Sequence, residues 1–305
     1  MSIGKHDISL TAAKVLRRIP GAAPIARQYN AKRHQAISNE LNDICKQAYA
    51  DANVSTLEEA ANNGPIWVLW WQGIDQAPEV VRACVQSIQR NANGRQVVVI
   101  TRDNVRNYVQ LPEYIFDKVA AGLISLTQFS DILRFNLLHR HGGLWMDATL
   151  FVTAPLDLNR CFGSFFTCSG FADPANFFIS AGRWTGFFIG GNSSEPLFDF
   201  MDSLFQTYWK THGKLIDYFL IDYALDYAYR HRIGSLYAWS TTQKGQDNPQ
   251  LFDLAPLLAQ PFDVHRWESL TADTSVFKLS WKKDDTFPAG SFGSYILSEG
   301  AKTDS

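Results

Sequence analysis

The sequence predicts an α/β protein in which a mostly parallel sheet is flanked by helices and preceded by an N-terminal helical extension. Three segments carry this prediction: an apolar run at residues 65–73 (PIWVLWWQG), an amphipathic helix at 78–91 and a second apolar run at 95–101 (RQVVVIT). A continuous apolar run closed by glycine is typical of a strand buried on both faces of a parallel sheet. Strand, helix and strand in this order favour a right-handed crossover, so the two strands are predicted to be parallel in a doubly wound sheet.

The composition is that of a folded chain and excludes several classes of partner. The 305 residues are 46% hydrophobic and 19% charged, and the formal net charge of −2 gives no field that would hold nucleic acid. The four cysteines are scattered and lack the CxxC spacing of a structural zinc site. The sequence shows neither a signal peptide nor a run of about 18 apolar residues. We therefore expect a cytoplasmic protein that does not bind nucleic acid.

The first 33 residues are basic and partly amphipathic. Seven Lys and Arg residues occur there with one acidic residue, Asp7, and apolar residues are interspersed. A helix of this kind can lie on the anionic inner face of the plasma membrane, which would make residues 1–33 a peripheral membrane contact. The alternative is a solvated, loosely packed extension. Pro20 and Pro24 break any long helix, so a membrane anchor in this region would be short.

The next segment, residues 35–62, is predicted to be a helix that packs on the main domain. Leu41, Ile44, Cys45 and Ala48 follow one another at helical spacing. The sequence thus divides into an N-terminal extension at 1–62, a single α/β domain at 63–298 and a frayed tail at 299–305.

A further helix is predicted from Leu126 to the glycine pair Gly142 and Gly143. Asp131 and Arg134 are three residues apart on this helix and therefore lie side by side. They form either a surface ion pair or part of a functional site. After residue 158 the pattern weakens to short strands and turns, apart from a helix predicted at 219–229.

The stretch HGGLWMDATLFV, residues 141–152, reads as a helix end that runs into a buried strand with one carboxylate, Asp147. A carboxylate at the end of a buried strand is costly unless it is compensated. A divalent cation bound to phosphate oxygens would compensate it, and a capping or hydrogen-bonded core carboxylate is the alternative. Gly142 and Gly143 let the backbone approach a ligand closely or turn tightly.

The run SDILRFNLLHRHGGLWMDATLF, residues 130–151, closely resembles the capsular polysaccharide synthesis proteins, bacterial relatives of the family 32 glycosyltransferases and their mannosyltransferases. The resemblance extends upstream through ITRDNVRNYVQLPEYI and IWVLWWQG. Downstream, DYFLIDYALDYAY and VFKLSWKK are similar more loosely. The resemblance implies a glycosyltransferase of the GT-A type, with one nucleotide-sugar-binding α/β domain that uses Mn or Mg.

The DXD motif that the resemblance implies falls on Asp147, Ala148 and Thr149. Asp147 would be the metal ligand and a catalytic residue, but Thr149 occupies the place of the second Asp. Two alternatives follow. Either Asp147 holds the cation with waters and phosphates while Thr149 helps through its hydroxyl, or metal binding is weak and the dependence on metal is partial.

The resemblance also implies roles for residues outside the motif. Asp131 and Arg134 would bind the donor sugar and its phosphates, for which a carboxylate and a guanidinium fork are suited. Trp71 would contact the base, and Lys282, with Lys278 and Lys283, would close over the diphosphate. Asp217 and Asp222 would grip acceptor hydroxyls or stabilise an oxocarbenium-like state. Gly142 and Gly143 complete the predicted donor site.

The function implied is transfer of a hexose from a UDP- or GDP-sugar to a hydroxyl of a surface polysaccharide or lipid-linked glycan, with retention of configuration. One alternative is a nucleotide-sugar-binding or carbohydrate-binding protein without turnover. Another is a phosphotransferase that acts on the same substrates.

Overall fold

The computed structural model describes residues 5–52, 62–243, 247–282 and 286–300. Its helices are α1 (Lys5–Leu16), α2 (Ala23–Asp51), α3 (Glu79–Arg90), α4 (Glu113–Ala120), α5 (Leu126–His141), α6 (Leu158–Cys161), α7 (Pro196–Thr211), α8 (Leu220–His231), α9 (Leu236–Thr242), α10 (Val264–Thr271) and α11 (Phe292–Gly300). Its strands are β1 (Ile66–Leu69), β2 (Val97–Ile100), β3 (Gly143–Met146), β4 (Leu150–Val152), β5 (Phe165–Thr167), β6 (Phe188–Gly191) and β7 (Val276–Lys278).

The main sheet has five strands in the order β2-β1-β3-β6-β5. Strand β1 pairs in parallel with both β2 and β3, whereas β6 is antiparallel to its neighbours β3 and β5. Four of the five strands therefore point the same way, which confirms the predicted α/β fold with a mostly parallel sheet. A separate two-stranded antiparallel sheet, formed by β4 and β7, is hereafter called the ribbon.

Each strand of the main sheet contributes to two cores because successive side chains point to opposite faces. On one face, Trp67 and Trp145 pack with α2, α5, α7 and α8. On the other, Val68 and Met146 pack with α3. The continuous apolar runs of the sequence are thus explained by burial on both faces.

Helix α5 begins and ends with recognisable signals. The side chain of Ser125 accepts a hydrogen bond from the backbone N–H of Gln128, and the Gln128 side-chain oxygen accepts one from the backbone N–H of Ser125, which forms a capping box. The helix ends at Gly142, whose φ is 64°. The predicted bounds of this helix are confirmed, as is a helix at the position predicted for residues 219–229.

Two predicted boundaries were wrong. The helix expected at 35–62 begins at Ala23 and ends at Asp51, because Pro24 lies in its first turn, where proline is tolerated, and a buried stripe runs on from Ala26 to Ala48. Residues 299 and 300, which were expected to start the tail, are the last two residues of α11, and the Gly300 carbonyl accepts a hydrogen bond from Arg90 Nη1 at 2.9 Å.

The strand expected to run through residue 152 is interrupted at Asp147. Strand β3 ends at Met146, the turn is closed by a hydrogen bond from Leu150 N to Asp147 O at 2.9 Å, and β4 then begins in the ribbon. Asp147 therefore lies where the chain leaves the main sheet.

Gly143 cannot carry a side chain without distortion. Its φ is 99°, and an added Cβ would lie 2.2 Å from the carbonyl oxygen of Pro65. We expect Gly143→Ala to lower the free energy of unfolding by at least about 2 kcal/mol, because both the backbone and the neighbouring strand must shift. Urea denaturation measures this, with Gly213→Ala as the control because its Cβ would meet nothing within 4 Å. Equal stabilities of the two variants would contradict the prediction.

Candidate functional site

Asp147 lies at the carboxyl end of β3 and accepts hydrogen bonds on both oxygens. Its Oδ1 accepts from Trp145 Nε1 at 3.0 Å and from Arg134 Nη2 at 3.4 Å, and its Oδ2 accepts from Lys278 Nζ at 3.3 Å. The side chain is 28% exposed, so solvent reaches it. Two cations from distant parts of the chain thus converge on one carboxylate.

The charge state of Asp147 follows from these contacts. Burial raises the pKa of this carboxyl, but the charges of Lys278 and Arg134 and the hydrogen bond from Trp145 outweigh burial. The pKa of Asp147 is therefore below its usual range, and the side chain is ionised at neutral pH.

Arg134 is more buried than Asp147 and Lys278, the other two charged side chains of this contact. Its side chain is 5% exposed, its Nη1 lies 3.1 Å from Asp131 Oδ1, and its guanidinium carbon lies 5.0 Å from the centre of the Trp145 ring. Its Nε is buried and has no hydrogen-bond partner among the residues that the structure describes. Arg134 therefore joins Asp131 to Asp147 and keeps one donor unused.

Two further carboxyls face the same guanidinium. Burial raises the pKa of Asp131 to about 7, with Arg134 acting against it and the charges of Asp147 and Asp222 adding to it. Burial also raises the pKa of Asp222 to about 6, opposed by a hydrogen bond from Trp184 Nε1 at 2.9 Å and by Arg134. Asp131 and Asp222 are therefore carboxyls that can gain or lose a proton near neutral pH.

Lys278 reaches the site through the ribbon. The register pairs Lys278 with Leu150, which brings its ammonium group to Asp147 and to the hydroxyl of Thr149, to which it donates a hydrogen bond. The same ammonium group lies 5.1 Å from the centre of the Phe187 ring. The hydroxyl of Thr149 is thus engaged by a cation.

Aromatic side chains cluster after β1, the strand that pairs with β3; this cluster is hereafter called the aromatic lip. Trp71 follows β1 and packs edge-on against Phe129 at 5.4 Å between ring centres. Trp70 packs edge-on against Trp281 at 5.8 Å, and Trp281 is 45% exposed. The Nε1 of Trp70 is buried and has no hydrogen-bond partner among the described parts of the chain. The exposed Trp281 ring offers an aromatic face on which a flat ring can stack.

The structure brings most of the predicted site residues together. Those grouped at the carboxyl ends of β1 and β3 and on the neighbouring α5 and α8 are Asp131, Arg134, Asp147, Thr149, Asp222 and Trp71. Lys282 is exposed beside Trp281, and its side chain is not among the groups that contact Asp147. Lys283 lies outside the described residues.

Gly142 and Gly143 require a correction because they lie at the opposite edge of the sheet. Gly143 begins β3, whereas Asp147 follows its end. The Gly142 carbonyl accepts a hydrogen bond from Trp67 Nε1 at 2.9 Å, and Gly143 lies against Pro65. These glycines allow the chain just before β1 to approach the start of β3 closely, and they lie at the other end of β3 from Asp147.

Asp217 also requires a correction. Its carboxylate forms a buried ion pair with Arg33 of α2, and its other oxygen accepts from the backbone N–H of Phe219 at 2.9 Å. Both of its oxygens are thus engaged in holding the start of α8, and its side chain is 1% exposed. Asp217 is therefore placed to position that helix rather than to contact an acceptor.

Three residues of the site were not predicted from the sequence. Trp145 had a signal that was not used, because residues two apart on a strand share a face and Trp145 precedes Asp147 by two positions. Trp184, which orients Asp222, had no local signal. Tyr218 had none either: burial raises its pKa, and so do the charges of Asp131 and Asp147 nearby.

The donor set around Asp147 does not fit a preformed divalent-cation site. Among the described residues, no group of three or more His, Cys, Asp or Glu side chains is placed to hold a metal ion. Both oxygens of Asp147 already accept from cationic side chains, and hard divalent cations prefer several oxygen ligands. The Mn or Mg implied by the resemblance stays a prediction.

Among the described residues, each helix is too short or too polar to span a bilayer.

A protein-family model, described as capsular polysaccharide synthesis protein, matches residues 21–296. The match covers most of the chain, including α2, the main sheet and the ribbon. A search of curated proteins finds no match to the chain.

Proposed function

Because the chain belongs to the capsular polysaccharide synthesis protein family, we propose that it is a glycosyltransferase of capsule synthesis. It moves a hexose from a nucleotide-diphosphate sugar to a hydroxyl of a surface polysaccharide or lipid-linked glycan. The observation that carries this proposal is the convergence of Arg134 and Lys278 on Asp147 beside an aromatic lip. A diphosphate and a base are the two groups that such a cleft suits.

The two cations supply the main chemistry. Negative charge builds on the diphosphate as the glycosidic bond breaks, and preorganised donors in a partly buried site lower that barrier. Arg134, whose Nη1 is directed to Asp131 and whose Nη2 is directed to Asp147, adds positive charge behind Asp147, and the Lys278 ammonium acts as a point charge. In this role Asp147 positions both cations, since each is hydrogen-bonded to a different oxygen of its carboxylate.

The remaining carboxyls are assigned to the sugars. Asp131 and Asp222 face Arg134 from α5 and α8, and each can accept hydrogen bonds from hydroxyls when it is ionised. Asp222 is oriented by Trp184 and is the better placed of the two predicted acceptor residues, since Asp217 is paired with Arg33. Retention of configuration rests on the resemblance to the family.

We infer that dependence on a divalent cation is partial, which is the second of the two alternatives that the DAT form of the motif leaves open. Lys278 and Arg134 already provide two positive charges where the DXD motif would hold a metal. A divalent cation next to them would meet repulsion from both. Chelation should therefore leave binding of the diphosphate largely intact.

Binding of UDP and GDP by calorimetry tests this inference. We expect the dissociation constant in EDTA to be within about ten-fold of that in Mn, and Lys278→Met to weaken binding about 10- to 100-fold in EDTA, as loss of a charge-assisted contact predicts. Lys210→Met is the control, because Lys210 is an exposed lysine at the end of α7. Nucleotide binding that requires Mn and is unchanged in Lys278→Met would contradict partial dependence on a divalent cation.

A screen of UDP- and GDP-hexoses, with and without a glycan acceptor, tests the proposed function itself. Release of free nucleoside diphosphate together with a glycosylated or hydrolysed sugar supports a glycosyltransferase. A donor that stabilises the protein against heat without any release supports the binding-only alternative. A product that carries a sugar phosphate supports a phosphotransferase.

A further inference from the structure

The N-terminal helix α1 is firmly packed on one face only. His6, Leu10 and Ala13 are buried, and Leu10 and Ala13 contact Ala26 of α2 and the loop at Phe177. The expectation of a loosely packed extension is therefore wrong for the described part of α1. The opposite face of the helix points to solvent.

That solvent face carries large apolar side chains. Ile8 is 62% exposed and Val15, two helical turns further on, is 55% exposed. Ile19, in the turn that follows α1, is 49% exposed, and Ile25, in the first turn of α2, is 64% exposed. We call these four residues the outer face of the N-terminal hairpin. Such a run of exposed apolar residues within 18 positions marks an interaction surface, since single exposed apolar residues are normal but clusters are not.

The surroundings of the outer face are basic. Lys14 and Arg18 are exposed next to it, and Lys32 is exposed on α2. Residues 1–33 carry seven basic residues and one acidic residue, a formal charge of +6, and since the whole chain has a formal charge of −2, the other 272 residues carry −8. Three of the seven basic residues have charged or aromatic partners within the protein: Arg33 pairs with Asp217, Lys5 pairs with Glu40, and Arg17 lies over the ring of Phe177. The remaining four, Lys14, Arg18, Arg27 and Lys32, leave this segment with an excess of positive charge where it exposes apolar side chains.

We propose that the outer face of the N-terminal hairpin docks on an anionic membrane surface. The isoleucines and Val15 enter the boundary between headgroups and acyl chains, while Lys14 and Arg18 contact lipid phosphates. A polar glycan would leave the isoleucines without an apolar environment. An anionic lipid surface matches both the apolar centre and the basic margin of this face.

The hairpin is also linked to the candidate site. Phe177 and Phe178 stack edge-on with Phe219, which follows Tyr218, and Arg33 of α2 is paired with Asp217. Docking would therefore hold the start of α8 close to the lipid surface. In combination with the proposed function, this geometry favours a lipid-linked acceptor.

Flotation with vesicles tests the docking proposal without any donor or acceptor. We expect the full-length protein to float with vesicles of phosphatidylcholine that contain phosphatidylglycerol, to remain behind with pure phosphatidylcholine, and to detach at high salt. The double variants Ile8→Ser with Val15→Ser and Lys14→Glu with Arg18→Glu should each lower the bound fraction at least about ten-fold.

Matched control variants distinguish docking through this surface from non-specific binding of exposed apolar or basic side chains to vesicles. Leu123→Ser with Val264→Ser replaces two other exposed apolar residues, and Lys46→Glu with Lys210→Glu replaces two other exposed lysines. These controls should bind vesicles like the unmodified protein, and melting temperatures should show that all variants are folded. Absence of vesicle binding, or equal loss in the controls, would overturn the proposal. So would self-association without lipid that the outer-face variants abolish, since the partner would then be a second copy.

Discussion

Replacing Asp147 by Asn is expected to lower the rate of sugar transfer by about 10²- to 10³-fold while the protein stays folded. The amide keeps the size of the carboxylate but removes the negative charge that positions Arg134 and Lys278. Because displaced donors stabilise the charge that builds on the diphosphate much less well, the rate of transfer falls. Because the side chain is 28% exposed, the free energy of unfolding should change by less than about 2 kcal/mol. Initial rates with the active donor measure the effect.

The control for this prediction is Asp117→Asn, which changes an exposed carboxylate on α4. That variant should retain full activity. Asp147→Asn and Asp117→Asn with equal rates would remove Asp147 from the mechanism. A loss of activity in Asp147→Asn that comes with a large fall in melting temperature would assign Asp147 to stability instead.

The second large effect is expected at the buried pair of Arg33 and Asp217. Their side chains are 2% and 1% exposed, and Arg33 also donates to the hydroxyl of Tyr223 at 3.2 Å. Arg33→Ala leaves the carboxylate buried without its partner, which typically costs about 3–5 kcal/mol. We therefore expect a loss of that size in the free energy of unfolding, measured by urea denaturation.

A double variant distinguishes the lost partner from simple loss of volume. Arg33→Met with Asp217→Asn removes both charges and keeps the acceptor for the Phe219 backbone N–H, so it should be more stable than Arg33→Ala alone. Lys32→Ala, at the neighbouring exposed position, should change stability by less than about 0.5 kcal/mol. Equal stabilities of Arg33→Ala and Lys32→Ala would show that the pair contributes nothing.

The parts of the fold that the sequence could predict are those with a local signal. Strands β1 and β2 with α3 between them follow from apolar runs and helical spacing within 37 residues, 65–101. Helix α5 follows from its spacing and its terminal glycines. The short strand β6 falls within the region after residue 158 where short strands and turns were predicted, but its pairing could not be predicted, because it joins Met146 to Phe188 and only the packed structure decides such distant pairs.

The residues of the candidate site also fall into those with a local sequence signal and those brought together only by long-range pairing. Asp131, Arg134 and Asp147 lie within 17 residues of sequence, and helix and strand geometry place them at one edge of the sheet. Lys278 lies 131 positions from Asp147 along the chain, and only the pairing of β7 with β4 brings the two residues together. Gly142, Gly143 and Asp217 were misassigned because residue type alone does not separate a backbone or ion-pair requirement from a contact with ligand.

The interruption of the strand at Asp147 determines how the two cations are held. Arg134 belongs to α5, which packs on the main sheet, whereas Lys278 belongs to the ribbon, and the chain passes from sheet to ribbon through the short turn at residues 147–149. The ribbon is not independent of the sheet, because Leu150, Val152 and Val276 are buried in the same hydrophobic core as Val68 and Met146. The spacing between the two positive charges is therefore fixed by a shared core, although the residues that carry them lie far apart along the chain.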